Sequence, residues 1–91
     1  VKDCEVVDIS INGITVPAAH MILNDTNFES FETVVKRVDE SCRALLEDYA
    51  VPAVYKCRTG FAVKPSGKRD TAALKAERDG FINADGETVI L

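Results

Sequence analysis

Between Ser30 and Tyr49 the apolar residues Phe31, Val34, Val35, Val38, Cys42, Leu45, Leu46 and Tyr49 recur at steps of one, three and four. That spacing keeps one stripe on a 3.6-residue period and fits no strand, so it commits the chain to one long amphipathic helix. Ser30 supplies an N-cap oxygen for the orphan N–H groups of the first turn. Glu32, Lys36, Asp39, Glu40, Arg43, Glu47 and Asp48 fall off the stripe and read as the solvated face. Glu32 and Lys36 form a favourable i,i+4 pair worth a few tenths of a kcal/mol. Pro52 disfavours helical geometry at Val51, which predicts an end near Tyr49 or Ala50. Val38 and Leu45, central on the stripe, are expected in the core, with Phe31 anchoring the helix start.

The rest of the chain reads as strands and turns. Cys4 to Ile11 alternates, with Val7, Ile9 and Ile11 on one face and Asp8 and Ser10 on the other. Asn12-Gly13 follows at once, a strong hairpin signal because both residues tolerate φ > 0. Ile14 to Val16 begins the return strand, and Pro17, lacking an N–H, is expected to interrupt it at an edge or bulge. His20 to Leu23 either resumes that strand or opens a new segment. After the helix, Val54 to Arg58 reads as a strand, Thr59-Gly60 as a turn and Phe61 to Val63 as its partner. Tyr55, Cys57 and Phe61 can face inward there, with Lys56 and Arg58 facing out. Residues 64–70 form a turn-rich loop, and Thr71 to Arg78 a brief helical turn ended by Asp79-Gly80. Phe81 to Ala84 and Thr88 to Leu91 flank a turn at Asp85-Gly86.

One mixed sheet of four to five strands packed around one long helix is therefore expected, an α+β architecture of the ubiquitin-like roll or β-grasp kind. With 91 residues the chain has room for a single domain. It starts without Met and without the basic, apolar run of a secretory signal, and is expected to be a domain from a longer protein. No stretch approaches the roughly 20 apolar residues of a membrane span. Cys4, Cys42 and Cys57 are odd in number, scattered and without a C-x-x-C pair, so reduced thiols in a cytoplasmic protein are expected.

Few catalytic constellations survive inspection. Gly60 and Gly67-Lys68 are spaced wrongly for a phosphate-cradling loop, and Arg69 stands where a hydroxyl is required. Asn83, Asp85 and Gly86 match part of a calcium loop, but Phe81 occupies its first ligand position. His20 is the only histidine, so no two-histidine metal site can form within the chain. A Cys–His pair is combinatorially open, yet packing accounts for Cys42 and Cys57. The reading is a non-enzymatic domain with no cofactor.

Charge is more informative. Fifteen acidic and eleven basic residues give a net −4, which disfavours generic nucleic-acid binding. Residues 1–50 hold four basic and ten acidic side chains, a net −6, whereas 51–91 hold seven and five, a net +2. Lys56, Arg58, Lys64, Lys68 and Arg69 fall within fourteen residues that contain no acid. Brought together by adjacent strands and a loop, they are expected to form a positive docking patch for an acidic partner. Lys68 and Arg69 carry the most weight, because the Gly67 turn projects them.

The Asn12-Gly13 hairpin, Phe28-x-Ser30-Phe31-x-x-Val34 at the helix start, Tyr55 with Gly60, and Leu74…Asp79-Gly80-Phe81-Ile82 occur in an order that resembles a doublecortin domain over about residues 6–87. The resemblance implies a ubiquitin-like fold that binds tubulin or microtubules at the cytoskeleton and stabilises or organises the polymer. On that reading Lys56, Arg58, Lys64, Lys68 and Arg69 contact acidic tubulin surface. The alternative is a ubiquitin-like adaptor that docks a scaffold or signalling protein through the same cations.

Overall fold

The computed structural model describes residues 1–91 as a small α+β domain with a five-stranded mixed sheet. Strand β1 (Asp3–Ile11) turns through Asn12-Gly13 into β2 (Ile14–Ile22). Asn12 at φ 52° and Gly13 at φ 81° both adopt the left-handed geometry of a two-residue hairpin turn. Helix α1 (Phe31–Leu45) then crosses to β3 (Val54–Arg58), which lies parallel to β2. Helix α2 (Thr71–Ala76) precedes the hairpin of β4 (Phe81–Ile82) and β5 (Thr88–Val89). The strands lie in chain order, β1 to β5, and every pairing except β2–β3 is antiparallel.

The two faces of the sheet carry separate cores. On one, Ala19, Met21 and Tyr55 pack with Val35 of α1, and Phe31, Val38 and Ile82 close the edges. On the other, Val7, Ile9, Ala18, Val54 and Phe81 pack with Leu74 of α2, flanked by Phe61 and Val89. The sheet is thus sandwiched between a long and a short helix rather than wrapped around one. Alternation explains the split: Ala19 and Tyr55 point to α1, whereas their neighbours Ala18 and Val54 point to α2.

Several sequence expectations hold locally. Ser30 Oγ accepts from the Thr33 backbone N–H at 3.2 Å and caps α1. Asn83 Oδ1 accepts from the backbones of Asp85 and Glu87 and braces the last turn. Phe31 packs where expected.

Others are corrected. Helix α1 ends at Leu45, and Leu46 is already extended. A 3₁₀ turn at Asp48–Ala50 redirects the chain so that Val51 can enter the core. Leu45 (83% exposed) and Tyr49 (82%) therefore lie outside the packed stripe, whereas Asp39, expected in solvent, is buried. Strand β2 runs straight through Pro17. Its partner Asp8 lies directly between the hydrogen-bonded pairs Val7↔Ala18 and Ile9↔Val16, so the Pro17 nitrogen points away from β1 and toward β3, whose ladder starts only at Ala18. The Pro17 carbonyl on that side accepts from Ala53 N–H at 2.9 Å. The expected hairpin from Val54–Arg58 to Phe61–Val63 does not form. β3 pairs instead with β4, Cys57 is exposed rather than inward, and Val63 makes only an isolated bridge to Arg69.

Candidate functional site

The α2 face of the sheet changes character at one end. Period-two alternation extends the row Val7, Ala18, Val54 into Glu5, His20, Lys56 and then Asp3, Ile22, Arg58. A face that is apolar at one end thereby becomes charged at the other. Burying charge there requires counter-charge from the layer above.

Glu77, just beyond α2, supplies part of it. Its carboxylate accepts from Lys56 Nζ at 2.5 Å and from Arg58 Nη1 at 2.6 and 2.7 Å. Burial raises the Glu77 pKa, but the hydrogen bonds and charges of Arg58 and Lys56 outweigh it and hold the carboxyl below its ordinary range. Lys56 also lies 5.6 Å from the Phe81 ring centre. Arg69 answers the carboxylates of β1, pairing with Asp3 and, at 3.5 Å, with Glu5. Its guanidinium lies 4.3 Å from the Phe61 ring centre, with Arg58 at 5.8 Å, so Phe61 joins the two arginines.

His20 sits at the middle of this cluster with none of its surface exposed. Its ring meets Phe81 edge-on at 5.4 Å, and Nδ1 lies 3.4 Å from Arg58 Nη1. A guanidinium only donates, so Nδ1 accepts and the ring proton sits on Nε2. That Nε2 is buried without a partner. Burial, reinforced by Arg58, pushes the imidazole pKa down and keeps the ring neutral.

Of the five cations expected to form one positive patch, Lys56, Arg58 and Arg69 are thus spent on Glu77, Asp3 and Glu5. This end of the face is locally balanced rather than positive. Arg69 in particular is not projected by the Gly67 turn but folded back across β1, where it also donates to the Cys4 carbonyl at 3.4 Å.

Lys64 and Lys68 differ. Both are exposed, and neither pairs with a carboxylate. They oppose each other across the neck of a small hairpin, in which Lys64 N–H donates to Lys68 O at 2.7 Å and Gly67 N–H to Lys64 O at 2.8 Å. Pro65 and Ser66 form its tip, and Gly67 at φ 86° takes the left-handed position that closes such a loop. Below it, Asp70 N–H donates to Ala62 O at 2.9 Å, and Arg69 stacked on Phe61 fixes the base.

The residues that sequence reasoning missed are the anions Glu77, Asp3 and Glu5. Asp3 and Glu5 did carry a signal, because they continue the Val7–Ile9 face at period two and so pointed inward. Glu77 carried none: only the docking of α2 brings it over β3. A shallow groove of about 320 Å³ opens beside this pair, lined by Lys56, Cys57, Arg58, Thr59, Gly60 and Glu77. No three His, Cys, Asp or Glu side chains converge as a metal ligand set, and no helix is long and apolar enough to cross a membrane. Comparison with protein-family models and with curated proteins returns no match.

Proposed function

We propose that this domain is a non-enzymatic protein-binding module that docks acidic surface through Lys64 and Lys68, with a tubulin polymer at the cytoplasmic cytoskeleton as the partner. The observation that carries the reading is the pair of unpartnered lysines held on a braced hairpin. Lys56, Arg58 and Arg69 are neutralised by carboxylates, so within the expected patch these two carry the unpaired exposed positive charge. Tubulin as the partner, stabilisation of its polymer, and a ubiquitin-like roll rest on the resemblance to doublecortin domains. In support of the roll stand the opening hairpin, the single long crossover helix and the mixed sheet. Contacts of this kind mainly speed encounter and fix orientation, and they weaken as salt rises.

The test is co-sedimentation with polymerised tubulin at low and raised salt. Binding that falls with salt and is lost in the K64E/K68E double variant supports the assignment; binding unchanged by the double variant removes it. The neutralised state of Lys56, Arg58 and Arg69 favours a second reading, a ubiquitin-like adaptor whose scaffold or signalling partner offers only a small acidic epitope. A pulldown from a mixture containing both tubulin and other proteins separates the two readings by what the wild-type domain retains and K64E/K68E releases.

A further inference from the structure

The two edges of the sheet are unlike. At one side β5 is two residues long and offers almost nothing to pair with. At the other, β1 runs for nine residues in unbroken register with β2, from Asp3↔Ile22 to Ile11↔Ile14. Strand edges are ordinarily blunted by Lys, Pro, bulges or covering segments, because their free N–H and C=O groups template further pairing. Strand β1 contains no Lys, no Pro and no bulge.

The register fixes which groups are free. Ile11↔Ile14 closes a two-residue hairpin and is a hydrogen-bonded pair, so Val7 and Ile9 address β2 while Cys4, Val6, Asp8 and Ser10 turn their backbones outward. Cys4 is the one outward residue already occupied. Its N–H donates to Asp3 Oδ1 at 2.8 Å, and its carbonyl accepts from Arg69. From Val6 to Ser10 no side chain hydrogen-bonds the outward N–H and C=O groups, and Val6, Asp8 and Ser10 are all exposed.

The chemistry of the strand selects its occupant. β1 holds Asp3, Glu5 and Asp8 and no base. Arg69 shows how this edge receives a cation, since one guanidinium engages two of its carboxylates and a main-chain carbonyl. Asp8 has no ionic partner. On the same side as Asp8, Val6 is 48% exposed. Beyond the strand's start, Val1 and the α1 residues Val34, Val38 and Cys42 line a groove of about 270 Å³.

We propose that the β1 edge accepts an extended, basic segment of a partner protein as a sixth strand, placing an apolar side chain beside Val6 and a cationic one beside Asp8. Main-chain hydrogen bonds to Val6, Asp8 and Ser10 supply affinity, and the Val6–Asp8 pair supplies selectivity. This surface is the Val6–Ser10 edge of β1, distinct from the Lys64–Lys68 hairpin, and takes the opposite charge.

The probe is an acetylated, amidated octapeptide of two threonine–valine–threonine–arginine repeats, titrated into the ¹⁵N-labelled domain. Its valine and arginine share one strand face. Expected are shifts and slowed exchange at the amides of Val6, Asp8 and Ser10, with Asp8→Lys weakening binding about fivefold. A peptide carrying glutamate for arginine, or N-methylated on its inward amides, should leave those resonances unmoved. V6P should also abolish binding while sparing the β1–β2 ladder, because the Val6 N–H points away from β2; the N-methylated peptide gives the same readout on unaltered protein. The proposal is overturned by no response at millimolar peptide, by shifts confined to the groove or the lysine hairpin, or by peptide-free self-association that protects β1 with a second copy.

Discussion

Tyr55 Oη donates to Asp39 Oδ1 at 3.1 Å, joining the middle of β3 to the middle of α1 across the buried interface. Asp39 also accepts from Arg43 Nε at 2.8 Å, one turn on. The carboxylate thus ties the helix to the sheet while its charge is answered at the helix surface. Removing one side strands the other, since Asp39→Ala leaves a buried hydroxyl unpaired. It should cost about 2 kcal/mol in urea unfolding, against about 1 kcal/mol for Tyr55→Phe.

The same pair has an alkaline signature. Burial, aided by the Asp39 charge, pushes the Tyr55 phenol well above its ordinary value of 10.0. A raised folded pKa gives stability that is complete below the unfolded value and lost as pH climbs above it. Melting temperature should fall above about pH 10, and Tyr55→Phe should flatten that limb.

At low pH the charged end of the sheet takes over. His20 is held below its ordinary 6.5 by burial and Arg58, so the unfolded chain takes up a proton first and stability declines as pH drops below 6.5. Glu77, also lowered, adds a second loss below its ordinary 4.5. Both signs agree: protonation favours the unfolded state. His20→Leu should flatten the upper part of the acid limb and Glu77→Gln the lower part, measured by thermal melts across pH.

Glu77 further separates stability from binding. Glu77→Gln withdraws the counter-charge from two mostly buried cations and should cost about 1–2 kcal/mol. K64E/K68E touches no ion pair and should change the unfolding free energy in urea by less than about 0.5 kcal/mol while removing the proposed acidic contact.

Along α1, burial and periodicity make different forecasts at two positions. Val35 is fully buried against Tyr55 and Met21, so Val35→Asp should abolish the folded signal in circular dichroism. Leu45, on the sequence stripe yet exposed, should accept Asp with a loss of about 0.5 kcal/mol or less. Collapse at Leu45 would show that the last turn packs onto something.

What the sequence determined by itself was local. Asn12-Gly13 dictated a hairpin because few residue pairs tolerate two positive φ angles; Ser30 and the stripe from Phe31 to Val38 dictated a capped helix; Asp85-Gly86 dictated the last turn. Each depends on neighbours within a few residues. Tertiary structure decided where strands pair and which charges meet. Arg69 finds Asp3 across most of the chain, and Lys56 and Arg58 find Glu77 only because α2 packs over Val54 and Phe81. Asp39 left the solvated face because Tyr55 reaches it from strand β3. A run of cations without an intervening acid says nothing of anions folded onto it, since Coulomb energy depends on distance in space. The sheet order and the neutralised patch were therefore beyond any reading of periodicity, whereas the long, unblunted β1 could be recognised as an edge only once every other strand had been placed.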